Sequence, residues 1–170
     1  MSVDLAELAR DIRILKDTEA VKRVKYRYFR CIDTANLTEL AELIHEDVEV
    51  DLIGGTYRFQ TRGRDNYVRM IGNAFHADFI GIHNGHHPEI DILSETEAKG
   101  LWYLSDVAMD LTTKVATVGS ALYRDRYVKV DGAWKIRETQ YERVVEIVET
   151  LEKRPNLTAH WLALHGKKLA

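Results

Sequence analysis

The sequence predicts an α+β fold, in which helices from the first half of the chain pack on one face of a curled antiparallel sheet. Two observations carry that expectation. Over roughly the first 44 positions, apolar residues recur at three- and four-residue steps, the spacing of one helix face. From about residue 82 they occur in long extended runs separated by short polar turns. Helices followed by strands is the order of an α+β domain rather than of an alternating α/β one. The 170 residues suffice for one domain with a real core.

Taken in order, Leu5, Leu8, Ile12 and Leu15 form the first helical stripe. A second helix is expected to begin near Asp17 and Thr18, good N-cap residues, with Val21, Val24, Tyr28, Cys31 and Ile32 on its apolar side. Asn36, with Glu39 three residues later, resembles a capping box ahead of Leu37, Leu40, Leu43 and Ile44. The period then changes. Val48, Val50 and Leu52 alternate with acids, Gly54 and Gly55 mark a turn, and Tyr57 and Phe59 alternate again. A helix from about Asp65 to Phe75 presents Tyr67, Val68, Ile71 and Phe75. Four strands follow as an antiparallel meander, at about 82–93, 98–111, 115–130 and 133–149, and Asp131-Gly132 is a strong hairpin signal. Strands this long make the sheet curl around its helix-covered side and leave a cone-shaped cavity, a usual place for a small-molecule site. With no repeat or linker in view, residues 1–170 are expected to be a single domain, with 1–16 an N-terminal helical extension and 154–170 a C-terminal tail.

The bulk composition narrows the function classes. A formal net charge of −3 gives no nucleic-acid footprint. The single cysteine, Cys31, allows neither an intrachain disulfide nor a cysteine-based zinc set. The start, "MSVDLAELARDIRILKD", carries charges throughout and has no apolar signal-peptide core, and no apolar run approaches a membrane span. A soluble cytoplasmic protein, with neither nucleic acid nor membrane as partner, is the expectation.

Chemistry concentrates in a few positions. "GIHNGHHPEI" holds His83, His86 and His87 within five residues. Strand parity puts His83 and His87 on one face and His86 on the other, and neither HExxH nor a facial-triad pattern accompanies them. Asp106 lies in the even register of "GLWYLSDVAM" with Trp102, Leu104 and Ala108, where an acid is costly unless paired. Tyr28 sits on a helix's apolar stripe, where its hydroxyl needs an internal partner. Asp33 falls near the end of that helix, where the dipole disfavours an acid. In the last strand apolar residues move from even positions (Trp134, Ile136) to odd ones (Tyr141, Val145, Ile147), which implies a bulge near Glu138 or cover on both faces. Arg143 falls in the Tyr141/Val145 register, where an arginine suggests an acidic or anionic partner. Bland alternatives stand beside each: partly exposed strand-start histidines, an arginine or solvent against Asp106, core packing for Tyr28, a turn at Asp33 and a snorkelling Arg143.

The succession of "KYRYFRCID", "HNGHHPEI", "GLWYLSD" and "YRDRYVKVDGAWKIRETQYER" resembles the SnoaL-like branch of the nuclear transport factor 2-like superfamily, and within it the bile acid 7α-dehydratases. The likeness spans about residues 17–148. It implies a cone-shaped α+β barrel with a deep apolar pocket, a homodimer or homotrimer, and chemistry without metal or organic cofactor. It further implies catalytic roles for Tyr28, Asp33, His83, Asp106 and Arg143, with Asp33 as partner of His83 in a His-Asp dyad. The substrate it implies is a small apolar polycyclic molecule, free or as a coenzyme A thioester.

Three functions follow as expectations. The first is a dehydratase acting on a hydroxysteroid or a similar polycyclic alcohol. Another cofactor-free reaction in the same pocket, of ketosteroid-isomerase or polyketide-cyclase type, is the second. The third is a non-catalytic ligand-binding module, such as a partner subunit of a ring-hydroxylating oxygenase. For the first, His83 would be the base, since an imidazole titrates ordinarily near pH 6.5, and Asp33 would fix its tautomer. Tyr28 would donate to an enolate oxygen or to the leaving hydroxyl.

Overall fold

The structure, a computed structural model, describes residues 4–168; the outermost residues of the extension and the tail lie outside the described residues. Helix α1 (Leu5–Asp33) is one continuous element of 29 residues, not two helices meeting at Asp17. The Asp17 carboxylate is engaged by the sheet instead. It accepts from Lys129 Nζ at 2.5 Å and Trp134 Nε1 at 2.9 Å, so it does not take the local amides that a cap would claim. The cap is Asp4, whose side chain accepts from the Ala6 amide. Residues 4–16 are exposed, so the stripe of Leu5, Leu8, Ile12 and Leu15 stands outside the core and burial begins at Asp17.

Helix α2 (Leu37–Leu43) starts as expected. The Asn36 side chain accepts from the Glu39 amide at 3.2 Å and donates to Glu39 Oε2 at 3.0 Å. Ile44 is not its last apolar residue but the first residue of β1 (Ile44–Ile53). The pair Gly54-Gly55 turns the chain into β2 (Arg58–Arg62), and α3 (Arg64–Ala74) follows. Strands β3 (Phe79–Ile92), β4 (Glu97–Asp110), β5 (Val115–Val130) and β6 (Ala133–Thr150) complete the sheet. Asp131 and Gly132 both have positive φ, 51° and 79°, as the tight turn between β5 and β6 requires.

The six strands lie in the order β2-β1-β6-β5-β4-β3. β3 to β6 form the antiparallel meander, but β1 runs parallel to β6, so the sheet is mixed. No hairpin links β1 to β6; β2, α3 and the strands β3 to β5 separate them in sequence, which leaves a parallel pairing open to them. The fold is α+β, with the N-terminal helices packed on a curled sheet that stays open between its edges β2 and β3. Val21, Val24 and Ile32 of α1, Leu40 and Leu43 of α2, and Tyr67 and Ile71 of α3 meet Trp102, Leu104, Tyr123, Tyr127, Trp134 and Ile136 of the sheet. In the tail, α4 (Trp161–His165) buries Leu162, and His160 Nε2 lies 3.0 Å from the Phe79 carbonyl. No helix among the described residues is long and apolar enough to cross a membrane.

Candidate active site

The last residue of α1 and the fifth residue of β3 meet at the centre of the candidate site. Asp33 Oδ1 lies 2.6 Å from His83 Nδ1, and Asp33 Oδ2 accepts the backbone N–H of the same histidine at 3.0 Å. The second bond exists because β3 is an edge strand with amides free of a ladder partner on that side. One carboxylate therefore fixes both the strand and the ring. A carboxylate against Nδ1 keeps the proton on that nitrogen and leaves the Nε2 lone pair available.

"GIHNG" also explains how the ring is held. Gly81 and Gly85 share the inner face of β3 with His83. A Cβ at either position would collide with Phe75 or Phe29 respectively. In their absence Phe29 stacks on the imidazole at 6.1 Å between centroids and 12° between planes, and Phe75 closes the other flank at 5.8 Å. His86 and His87 do not join this assembly. The expectation that His87 shares the face of His83 is overturned by a bulge between His86 and Glu89, with His87 at φ 47°. Beyond the bulge the even positions Ile90 and Ile92 face the core, and both His86 and His87 are exposed.

Asp106 stands directly opposite His83 in the β3–β4 register and is buried. Arg143 engages it with both terminal nitrogens: Nη2 donates to Oδ2 at 2.8 Å and Nη1 donates to Oδ1. Burial alone would lower the pKa of the guanidinium, but the Asp106 bonds outweigh it and hold Arg143 above its ordinary value. The parity change in β6 comes from bulges. One lies between the pairs Arg126–Glu138 and Tyr127–Ile136, close to the expected position, and a second between Ser120–Val145 and Ala121–Arg143. The second bulge turns Val145, expected to share the Arg143 face, outward to half exposure.

Tyr28 is buried, and its hydroxyl shares a hydrogen bond with Tyr67, not with His83 or either acid. Burial holds Tyr28, Tyr67 and Tyr123 well above the ordinary tyrosine pKa, so all three stay protonated. Phe29, the next residue, bridges the tyrosines to the dyad, edge-on to Tyr28 and Tyr123 and stacked on His83. Where a deep apolar pocket was expected, the rings of Tyr28, Tyr67, Tyr123 and Tyr141 fill the interior. The cavity that reaches the dyad is a groove of about 490 Å³ between α1 and β3, bordered by Tyr26, Phe29, Arg30, Asp33, His83 and His86.

Sequence reasoning missed Lys25. It is fully buried, with Nζ 2.8 Å from Asp125 Oδ2 and 3.6 Å above the Tyr123 ring. Asp125 also accepts from Tyr127 at 2.7 Å and Thr139 at 2.8 Å. Burial lowers the Lys25 pKa, and Asp125 opposes it. The signal was present, since Lys25 lies four residues from both Val21 and Phe29, on the buried face of α1.

Residues 13–140 match the SnoaL-like domain family. The chain belongs to the SnoaL-like family. The match takes in Asp33, His83 and Asp106 and ends before Arg143. Among solved structures, this SnoaL-like chain is similar to a candidate scytalone dehydratase from Novosphingobium aromaticivorans, at 25% identity and TM-score 0.71, over 88% of this chain and 98% of that one. A hexachlorocyclohexane dehydrochlorinase shares the fold at 16% identity and TM-score 0.74, over 88% and 99% of the two chains. So does a nuclear transport factor 2-like protein with a cystatin-like fold from Novosphingobium aromaticivorans, at 19% identity and TM-score 0.69, over 85% and 92%.

Proposed function

We propose that this protein is a cofactor-independent dehydratase that removes water from a hydroxysteroid or a similar polycyclic hydroxy-ketone. The observation that carries the reading is the Asp33 carboxylate bound to both the backbone and the ring of His83. That arrangement supports a preoriented general base at the edge of a groove of about 490 Å³, within the ~300–1,000 Å³ usual for small ligands. The similarity to a candidate scytalone dehydratase points to the same reaction class.

In this reading His83 Nε2 takes a proton from a carbon activated by the substrate carbonyl. The C–H electron pair moves toward the carbonyl oxygen, and its return forms the carbon–carbon double bond as the β-hydroxyl takes the proton back from the His83 imidazolium and leaves as water. Asp33 stabilises the imidazolium. Tyr28, kept protonated by burial and bonded to Tyr67, backs Phe29 against the His83 ring and does not border the groove. Asp106 and Arg143 hold the polar floor beside His83.

The test is to incubate the protein with a 7-hydroxy-3-oxo-4-ene steroid and follow the near-ultraviolet absorbance of the dienone. Its appearance, with water lost, supports the dehydratase. A shifted double bond without loss of water would move the assignment to an isomerase. His83→Ala is expected to lower kcat by about 10²–10⁴-fold while far-UV circular dichroism is unchanged. Asp33→Asn is expected to lower it too, because an amide can donate to Nδ1 and put the ring proton on Nε2. An unaffected rate in both variants counts against the base assignment.

A further inference from the structure

One register line crosses the inner face of the sheet through four strands: His83 on β3, Asp106 on β4, Gly119 on β5 and Glu146 on β6. Three of the four are ionisable, and Gly119 leaves a gap between the acids. Arg143 fills that gap. A Cβ on Gly119 would lie 3.2 Å from Arg143 Nη1 and would run into the Val145 carbonyl.

Residues three apart on a regular strand face opposite ways. The second bulge of β6 brings Arg143 and Glu146 to the same side, where both side chains are buried, 7% and 6% exposed. Arg143 Nε lies 3.3 Å from Glu146 Oε2, while the terminal nitrogens serve Asp106. The other oxygen, Glu146 Oε1, accepts from the Thr56 amide and hydroxyl, each at 3.2 Å. Gly55 allows this approach, since a Cβ there would be 3.0 Å from the same oxygen. Beside it the Tyr57 hydroxyl shares a hydrogen bond with Tyr141, whose ring lies 5.5 Å from the Arg143 guanidinium carbon.

Asp106 takes both terminal nitrogens, while Nε and Glu146 Oε2 form a buried ion pair without a hydrogen bond between them. A second buried carboxylate on the same cation costs desolvation that pairing does not require. Its placement therefore has to be explained by what it joins.

We propose that Glu146 is a positioning residue of this site, holding the Arg143 guanidinium across Gly119 onto Asp106 and tying that assembly to the 54–57 turn between β1 and β2. The role rests on the dehydratase reading for its catalytic consequence, though the tether can be measured without substrate. With Arg143 held from both ends, Asp106 keeps a fixed place beside His83, and the turn keeps a fixed place over the end of the sheet.

Glu146→Ala, Glu146→Gln and Thr56→Val, made in the whole chain, test it. Amide hydrogen exchange reads the turn, and steady-state kinetics with the hydroxy-ketone reads the site. In Glu146→Ala the Thr56 amide is expected to exchange about tenfold faster, while the His83 amide, held by Asp33, changes less than about twofold. The same variant is expected to lower kcat by about 10- to 100-fold with KM within about threefold. Glu146→Gln keeps an acceptor for Thr56 and loses the charge on Arg143, so it should restore slow exchange but not kcat. Thr56→Val removes the hydroxyl bond and keeps the amide one, so it should loosen the turn less than Glu146→Ala and retain more of kcat. Unchanged Thr56 exchange in Glu146→Ala overturns the tether, whatever the activity. Faster exchange with wild-type kcat overturns the positioning role. A wild-type chain that turns over no hydroxy-ketone, in which Glu146→Ala still releases Thr56, removes the dehydratase reading and leaves the tether standing.

Discussion

Gly81 and Gly85 contribute no side chain to the candidate site, and that absence is their function. They leave room for Phe75 and Phe29 to grip the imidazole from two sides. Gly85→Ala is expected to push Phe29 off the ring, destabilise the fold by roughly 1–3 kcal/mol and lower kcat. Denaturant unfolding and near-UV circular dichroism check the first two effects, and a variant as stable as wild type would show that the clamp gives way easily. At this scale the chemistry was legible where residue type and register both spoke. Asp106 in an even, apolar register demanded a partner, and Arg143 in an apolar register supplied one. Asp33 looked misplaced at a helix end because its partner, His83, lies 50 residues away. What parity could not reveal was the change of face after His86, since a bulge leaves no mark beyond the glycine and proline around it.

At the scale of elements, Glu39 joins the α2 cap to α1. Arg27 Nε donates to it at 2.8 Å, Arg30 Nη2 at 2.6 Å and Asn36 at 3.0 Å. The bonds from Arg30 and then Arg27 depress its pKa from the ordinary 4.5 to about 2. A carboxylate with a depressed folded-state pKa stabilises the fold above its unfolded pKa and stops doing so as pH falls through the folded one. Glu39→Gln is therefore expected to be less stable than wild type at neutral pH, by a small amount because the pair is partly solvated. The gap should close between about pH 4.5 and pH 2. Unfolding midpoints of both proteins across that range test it, and a gap independent of pH would remove the charge from the explanation. Most elements were readable from period and caps, because those are local signals. The join at Asp17 was not, since a residue with the local marks of an N-cap was engaged by Lys129 and Trp134 more than 100 residues away.

For the whole molecule, the outer face of the sheet carries a second register line that is aliphatic throughout: Ile82, Val107, Val118 and Ile147. Ile82, Val118 and Ile147 are each about half exposed. A continuous apolar row of this kind is unusual on a surface that meets only water. Self-association, expected from the family resemblance, would bury this row. Val118→Lys is expected to sediment as a smaller species than wild type at equal concentration, and equal masses would place self-association elsewhere or nowhere.

Period, capping residues and turn chemistry in the sequence alone determined the α+β class, the helix starts at Asn36 and near Asp65, the β5–β6 hairpin, and which ionisable residues stood in apolar company. These depend on neighbours within a few positions, where the chain's own geometry dictates which side chains share a face. Tertiary structure alone decided that β1 runs parallel to β6, that aromatic rings fill the interior and leave the groove at the α1–β3 junction, and that Glu146 stands between Thr56 and the Arg143 that pairs with Asp106. Those outcomes depend on pairings between remote segments and on bulges that reset the face of a strand, and no local pattern encodes which remote partner a buried charge will find.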